Sequence, residues 1–344
     1  MTKKLKIAVV GATGAVGEAM LSILNEYGFI DADVHALASE KSLGKSVEFG
    51  HRTLPVEVLD DYDFTGTDFG LFSAGASISQ VHAPRAAKAG CMVIDNTSAF
   101  RLDDDIPLVV PEINGDLLEN LAPGSIIANP NCSTIQMLIA IAPVHALAGI
   151  DRINVATYQS VSGAGSEGLE ELARQTMDRL SFKEVKPSVF AQPIAFNCIP
   201  VIDTMQDNDY TREEMKLHWE TQKILRDDSI AVNATAVRVP VFYGHSEAVH
   251  LETARDISMD AVREAMHKAQ GLVLIDDTDA KAQVTAVTHG AGKDETFVSR
   301  LRRDYTHPRG INMWVVSDNV RKGAALNAVQ ILKMIVSGKM SVET

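Results

Sequence analysis

The stretch that most constrains this chain lies at its start. Residues 5–10, LKIAVV, are almost continuously apolar, the pattern of a parallel strand buried on both faces; a half-exposed strand would alternate. Residues 11–17, GATGAVG, follow, and then residues 18–27 carry apolar side chains at Ala19, Met20, Ile23 and Leu24, the spacing of one helical face. Strand, glycine turn and helix make the first half of a dinucleotide-binding unit. Glycine lets the backbone approach a pyrophosphate, and the helix N-terminus receives its charge. The glycine spacing is G-x-x-G-x-x-G, a variant of the commoner G-x-G-x-x-G.

A second strand over residues 34–38 ends at Ser39-Glu40-Lys41-Ser42. An acidic side chain at this point would hold the ribose hydroxyls of NAD, whereas the 2′-phosphate of NADP wants donors and positive charge. Two hydroxyls and a lysine suit NADP, and Glu40 keeps NAD open. Further strands are expected over residues 68–73 and 92–95, with a helix over 83–89 between them. The loops 72–76 and 96–101 follow strand ends, where ligands gather in an open α/β sheet. Arg101, in the second loop, reads as a surface charge unless an anion must be met nearby.

A strand over residues 125–129 then delivers Asn129-Pro-Asn-Cys132-Ser-Thr134, and residues 135–147 read as a helix. A cysteine near a helix N-terminus meets unpaired N–H groups that favour thiolate, which is how a nucleophile is made. The plainer alternative is a buried structural cysteine.

Composition limits the partners. The chain has 344 residues, 46% hydrophobic and 22% charged, enough for two domains. No segment has the apolar length to span a bilayer, and the basic Met1-Thr-Lys-Lys4 runs straight into a strand, so a cytoplasmic protein is expected. Cys91, Cys132 and Cys198 form neither a disulfide framework nor a close metal-ligand pair, which points to a reduced compartment and no metal. A formal net charge of −13 argues against nucleic acid or an anionic membrane as partner. An anionic ligand would therefore need its own local pocket of Lys and Arg.

The second half has longer alternating strands with helices between them, the pattern of an α+β domain. A strand over residues 153–161 runs into Ser162-Gly163-Ala164-Gly165 and a helix over 168–180. Gln159 near that strand's end could orient a reacting carbonyl or be only an edge polar group. Thr211-x-x-Glu214 is a capping-box signature for a helix reaching about Leu225. Its Glu213, Lys216, Glu220 and Lys223 form one stripe, read as a solvated face with intrahelical pairs, or else as a surface that meets a zwitterionic or phosphorylated substrate. A strand over 236–242 contains Arg238, a charge that needs a partner. His245 follows it and has an ordinary pKa near neutrality, which suits a general acid/base. Strands over 297–302 and 311–316 precede Ser317-Asp-Asn319 and a helix over 324–336 that could return to the first domain and bring Asn319 to the cofactor.

Together these stretches carry a resemblance to the aspartate-β-semialdehyde dehydrogenase family over essentially the whole length. It rests on residues 11–17 (GATGAVG), 98–101 (SAFR), 129–134 (NPNCST), 159–163 (QSVSG), 213–216 (EEMK), Arg238-Val-Pro-Val through Gly-His245, and 316–319 (VSDN) through 322–325 (KGAA). The resemblance implies a Rossmann-type parallel-sheet NADP-binding domain over 1–131 with 320–344, and an α+β catalytic and dimerisation domain over 132–319. It implies Cys132 as nucleophile, His245 as acid/base and Gln159 as a substrate contact. Asn131 and Glu213 would also meet substrate, the latter at its amine. Arg238 would clamp the α-carboxylate, and Arg101 with Lys216 would bind phosphate, Lys223 being a second candidate. Gly11, Thr13, Gly14, Ala15, Val16, Ser39, Lys41, Ser42, Ser162, Gly163 and Asn319 would contact NADP. The implied reaction is reversible reductive dephosphorylation of 4-phospho-L-aspartate to the semialdehyde through a cysteine thioester, a step toward lysine, threonine, methionine and diaminopimelate, in a homodimer. A reductase of N-acetylglutamyl phosphate shares this logic, and a cofactor-binding sensor without catalysis is the rival of another class.

Overall fold

The computed structural model describes residues 4–342, so the basic stretch at Met1–Lys3 lies outside them. The chain divides into two compact units, Met1–Pro130 with Ala324–Thr344, and Asn131–Gly323.

The first unit contains β1 (Lys6–Val10), α1 (Ala15–Glu26), β2 (Asp33–Ala38), β3 (Ser46–Phe49), β4 (Arg52–Val58), β5 (Phe69–Phe72), α2 (Ala76–Lys88), β6 (Met92–Asp95), α3 (Pro111–Asn114) and β7 (Ile126–Ala128). Its sheet runs β3-β4-β2-β1-β5-β6-β7. Only the β3–β4 edge pairs antiparallel; β2–β4 and every pair beyond it are parallel. The unbroken apolar run of β1 has a direct cause: Ile7 and Val9 enter a core with Met20, Leu24 and Leu332, while Ala8 and Val10 enter another with Phe72, Ala83 and Ala86. The closing helix Leu326–Val342 supplies the first of these faces.

Two expectations need correction. Helix α2 begins at Ala76, seven residues before the expected start at 83, and carries Pro84 inside it. Its first turns are polar, and buried Ser79 donates to Asp95 at 2.7 Å instead of adding to an apolar stripe. The β3–β4 edge, with Pro55 and alternating exposure, gave no strand signal.

The second unit contains α4 (Cys132–Ala148), β8 (Ile150–Gln159), α5 (Gly165–Leu180), α6 (Arg212–Leu225), β9 (Ala231–Arg238), β10 (His245–Thr253), α7 (Met259–Lys268), β11 (Leu272–Leu274), β12 (Thr296–Arg303) and β13 (Gly310–Ser317). The sheet order is β11-β12-β13-β10-β8-β9. It is mixed, β8–β9 and β11–β12 being parallel and the others antiparallel. The strand expected over 236–242 stops at Arg238, two residues before Pro240, which has no N–H for a ladder. Strand register decides which side chains become neighbours. Gln159 pairs with Arg238, Tyr158 with Ser246, and His245 with Ser317. The ends of β8, β9 and β13 and the start of β10 therefore meet at one end of this sheet. Among the described residues no helix is long and apolar enough to cross a membrane, and no group of three or more His, Cys, Asp or Glu could hold a metal ion.

Candidate active site

Asn131 is the N-cap of α4, its Oδ1 accepting from the backbone N–H groups of Ser133 and Thr134 at 3.0 and 3.2 Å. The helix therefore starts at Cys132, three residues before the apolar run at 135 suggested, and the half-buried thiol sits in its first turn. The same asparagine donates from Nδ2 to Glu213 Oε1 at 2.9 Å and from its backbone N–H to Glu220 Oε2 at 2.6 Å. Gln159 Nε2 donates to the same Glu213 oxygen at 3.1 Å, and Thr157 Oγ1 holds the other end of that amide at 3.0 Å. On Glu213 Oε2, Lys216 Nζ donates at 2.9 Å, and it also reaches Asp203 at 2.9 Å.

The stripe on α6 is thus not the solvated face that its charge pattern favoured. Thr211 and Glu214 form the expected capping box, but Glu213 and Glu220 are buried. Their partners are Asn131 and Gln159, which are distant in sequence and invisible to helical periodicity. Burial by itself would push the Glu213 carboxyl up; Lys216 beside it, with the Asn131 and Gln159 donors, brings it down to about 2. Burial likewise works against the Lys216 ammonium, and Glu213 with Asp203 more than offsets that, holding it above its ordinary range. Lys223, two turns further along α6, is half-buried.

Arg238 is 7% exposed. Nη1 donates to the Ser160 carbonyl at 2.7 Å, and among the described residues no carboxylate forms an ion pair with it. Its charge is close enough to Cys132 and Glu213 to feel both. His245 is fully buried. Its Nδ1 accepts the Ser160 backbone N–H at 3.0 Å and lies 3.0 Å from Ser160 Oγ, while its Nε2 is buried without a partner. Burial, and then the Arg238 guanidinium, push the ring's pKa down to about 3. Asn319 Oδ1 accepts from Ser160 Oγ, Ser162 Oγ and the Gly244 backbone N–H, each at 3.0 Å. A Cβ on Gly163 would lie 2.9 Å from Arg238 Nη1 and 3.6 Å from His245 Nε2, and one on Gly323 would lie 2.6 Å from Cys132 Cβ.

The second unit therefore gathers Asn131, Cys132, Gln159, Ser162, Gly163, Glu213, Lys216, Arg238, His245 and Asn319. Sequence reading missed Ser160, Asp203, Glu220 as a partner of Asn131, and Gly323. Of these, Ser160 had a signal in its place between Gln159 and Ser162, and Gly323 in the KGAA motif at 322–325.

The first unit holds the remaining candidates. Gly11 has φ +85, and a Cβ on Gly17 would come within 2.1 Å of the Gly11 carbonyl oxygen, so strand and helix pack as closely as glycine allows. Gly14 caps α1 with no side-chain hydrogen bond, and Ala15 and Val16 open its first turn. Thr13 Oγ1 lies 3.4 Å from Ser42 Oγ, and Ser39 and Lys41 are exposed beside them. A cleft of about 320 Å³ is lined by Thr13, Gly14, Ser39, Asp60, Ser73 and Ile78 among others. Arg101 is buried, contrary to the surface charge expected of a lone loop arginine. Its Nε donates to the Asn129 carbonyl at 2.9 Å and its Nη2 to the Asn96 carbonyl at 3.0 Å.

Comparison with known proteins gives this geometry its family. Residues 6–121 match the semialdehyde dehydrogenase NAD binding domain and residues 141–322 the semialdehyde dehydrogenase dimerisation domain. Aspartate-semialdehyde dehydrogenase of Legionella pneumophila is 51% identical over 335 residues, 97% of this chain and 96% of that protein. Aspartate-semialdehyde dehydrogenase 2 of Vibrio cholerae is 52% identical, covering 98% and 99%. The crystal structure of aspartate semialdehyde dehydrogenase II from Vibrio cholerae complexed with ASA superposes with a TM-score of 0.94 at 51% identity, over 98% of this chain and 99% of that one. With identity near one half over nearly the full length of each partner, the chain belongs to the aspartate-semialdehyde dehydrogenases.

Proposed function

We propose that the chain converts 4-phospho-L-aspartate to L-aspartate 4-semialdehyde, reversibly, with Cys132 as the nucleophile and NADP as cofactor. The observation that carries this reading is the buried cluster at the head of α4. A capped cysteine, an arginine without a carboxylate partner and a histidine with an unpartnered ring nitrogen are held by Glu213 and Ser160 within one unit.

The cofactor fits the first unit. The close turn at Gly11 and Gly14 and the start of α1 at Ala15 and Val16 suit a pyrophosphate, with Thr13 beside it. Ser39, Lys41 and Ser42 offer the donors and charge that a 2′-phosphate needs. Ser162, Gly163 and Asn319 are the candidates for the nicotinamide end. Bound NADPH supplies the hydride that reduces the enzyme thioester.

The chain's own residues do the rest. Cys132 Sγ attacks the acyl carbon, a C–S bond forms, and the C–O bond to phosphate breaks. Arg238 grips the α-carboxylate, for which a planar guanidinium gives two parallel donors. Gln159 and Asn131, oriented by Glu213, frame the substrate next to it, and Glu213 also faces its amine. Lys216 spends two of its three donors on Glu213 and Asp203, which leaves one for phosphate; Arg101 is the other proposed phosphate ligand. His245 meets the carbonyl oxygen. An acetylated nitrogen offers Glu213 no charge to pair, which favours aspartyl over N-acetylglutamyl phosphate. The second unit is proposed as the homodimer interface, and the cytoplasm as the compartment, since a thiol nucleophile with two further free cysteines suits a reducing environment.

The test is NADP⁺ reduction with aspartate semialdehyde, with and without inorganic phosphate. Turnover that depends on phosphate supports the reading, and equal rates without phosphate would mean that water releases the thioester.

A further inference from the structure

The long connection between α5 and α6, residues 181–211, has no helix or strand of its own. Connections of that length are uncommon in compact units and are usually functional. Resting on the reaction proposed above, we infer that this one is a wall of the substrate's carboxylate site. Phe190 closes it against the Arg238 guanidinium, and Glu171 on α5 is the positioning residue that sets it.

The anchoring is a relay along one face of α5. Glu171 and Gln175 lie one turn apart and are 2% and 0% exposed. Glu171 Oε2 accepts the backbone N–H groups of Ser188 and Val189 at 3.0 and 2.5 Å, and the Ser188 hydroxyl at 2.6 Å. Its Oε1 accepts from Gln175 Nε2 at 2.7 Å. That turns the amide oxygen of Gln175 toward the backbone N–H groups of Ile194 and Ala195, which it accepts at 2.8 and 3.2 Å. Two buried side chains thus pin the connection on both sides of Phe190, whose ring packs against a small core of Val161, Leu172, Ile194, Ala195 and Ile199.

Arg238 meets the connection twice. Its backbone exchanges both hydrogen bonds with Ile199, at 2.8 and 2.9 Å, and its guanidinium lies 6.0 Å from the centre of the Phe190 ring. The Ser160 carbonyl takes Nη1, and a Cβ on Gly163 would stand 2.9 Å from that nitrogen. The guanidinium is therefore bounded by main chain and by an aromatic ring. Such a ring attracts the cation through its face and keeps water off it. It accepts no ordinary hydrogen bond, so the remaining N–H donors stay available for a carboxylate, in surroundings where a charge pair is strong. Further along, the same connection brings Asp203 to Lys216 at 2.9 Å. One loop thereby touches both cations that the second unit offers to the substrate's anionic groups.

Kinetics of the full chain test the wall. Phe190→Ala should raise KM for aspartate semialdehyde about three- to tenfold, the loss falling on KM and not on kcat or on KM for phosphate. Phe190→Tyr, which keeps the ring, should recover most of it. On an Arg238→Met background, which has no cation to cover, Phe190→Ala should cost little further kcat/KM. An unchanged KM in Phe190→Ala, or the same loss on both backgrounds, overturns the wall. Hydrogen exchange of the free protein tests the anchoring. In Glu171→Gln, whichever way the new amide turns, one arm of the relay sets donor against donor. Exchange at the Ser188, Val189, Ile199 and Arg238 amides should then rise by about tenfold or more, while β10 keeps its protection and shows the unit folded. Wild-type protection at Ile199 and Arg238 overturns the positioning role of Glu171. Failure of the wild type to turn over aspartate semialdehyde would sink the proposed function instead, because exchange is read without substrate.

Discussion

Glu213→Gln removes one charge from the centre of the site and keeps its shape. In the folded chain the Glu213 carboxyl is lowered from 4.5 to about 2, which corresponds to ~3 kcal/mol in favour of the charged form. Lys216 keeps Asp203 as a second carboxylate, so the loss should stay below the ~3–5 kcal/mol seen when a buried pair loses one member outright. We expect Glu213→Gln to destabilise the second unit by ~2–3 kcal/mol near neutral pH. Both tryptophans, Trp219 and Trp314, lie in that unit, so the fluorescence midpoint in urea reports it separately from the first. The sign with pH is fixed by the direction of the shift. A depressed carboxyl contributes in full above about pH 4.5, and the contribution is lost as pH falls toward 2. The gap between wild type and Glu213→Gln should therefore close over that window. Lys216→Met supplies the cross-check, since the double variant should cost less than the sum of the singles by ~1 kcal/mol or more. A gap below ~0.5 kcal/mol at neutral pH, a gap that persists to pH 2, or strict additivity would refute the view that this ion pair organises the site.

Cys132→Ala should abolish turnover while NADP binding, followed by cofactor fluorescence, is retained; activity near wild type would exclude a thioester. Arg238→Lys should raise KM for the semialdehyde by about tenfold or more, because an ammonium cannot match the two-pronged grip of a guanidinium; an unchanged KM would remove Arg238 from the carboxylate. Gly323→Ala puts a methyl 2.6 Å from Cys132 Cβ and should depress kcat and the rate of thiol alkylation together, with little change in the urea midpoint of the first unit.

The first unit was largely legible because its signals are local. A strand packed on both faces is apolar throughout, and a glycine turn before a helix announces itself in a few residues. The Thr211 and Glu214 capping box is equally local. The α6 stripe was misread because Glu213, Lys216, Glu220 and Lys223 have the spacing of a solvated face, and what overrules it sits far off in sequence, Asn131 by 82 positions and Gln159 by 54. The burial of Arg101 was not legible either, since one of the carbonyls that hold it belongs to Asn129, 28 positions away. That a histidine lies near an arginine could be read from the chain. That its Nδ1 meets the Ser160 backbone N–H could not, because a backbone donor has no signature in composition.

At an ordinary helix start, asparagine and aspartate are near-equal caps, and exchanging them is close to neutral. Asn131 does not have that freedom. Its oxygen caps α4 while its amide nitrogen faces the buried Glu213 carboxylate at 2.9 Å. Deamidation of this one side chain, a common lesion of ageing protein, would leave the cap in place and turn two bonded groups into two facing anions. A site altered in that way would lose activity with its helices intact.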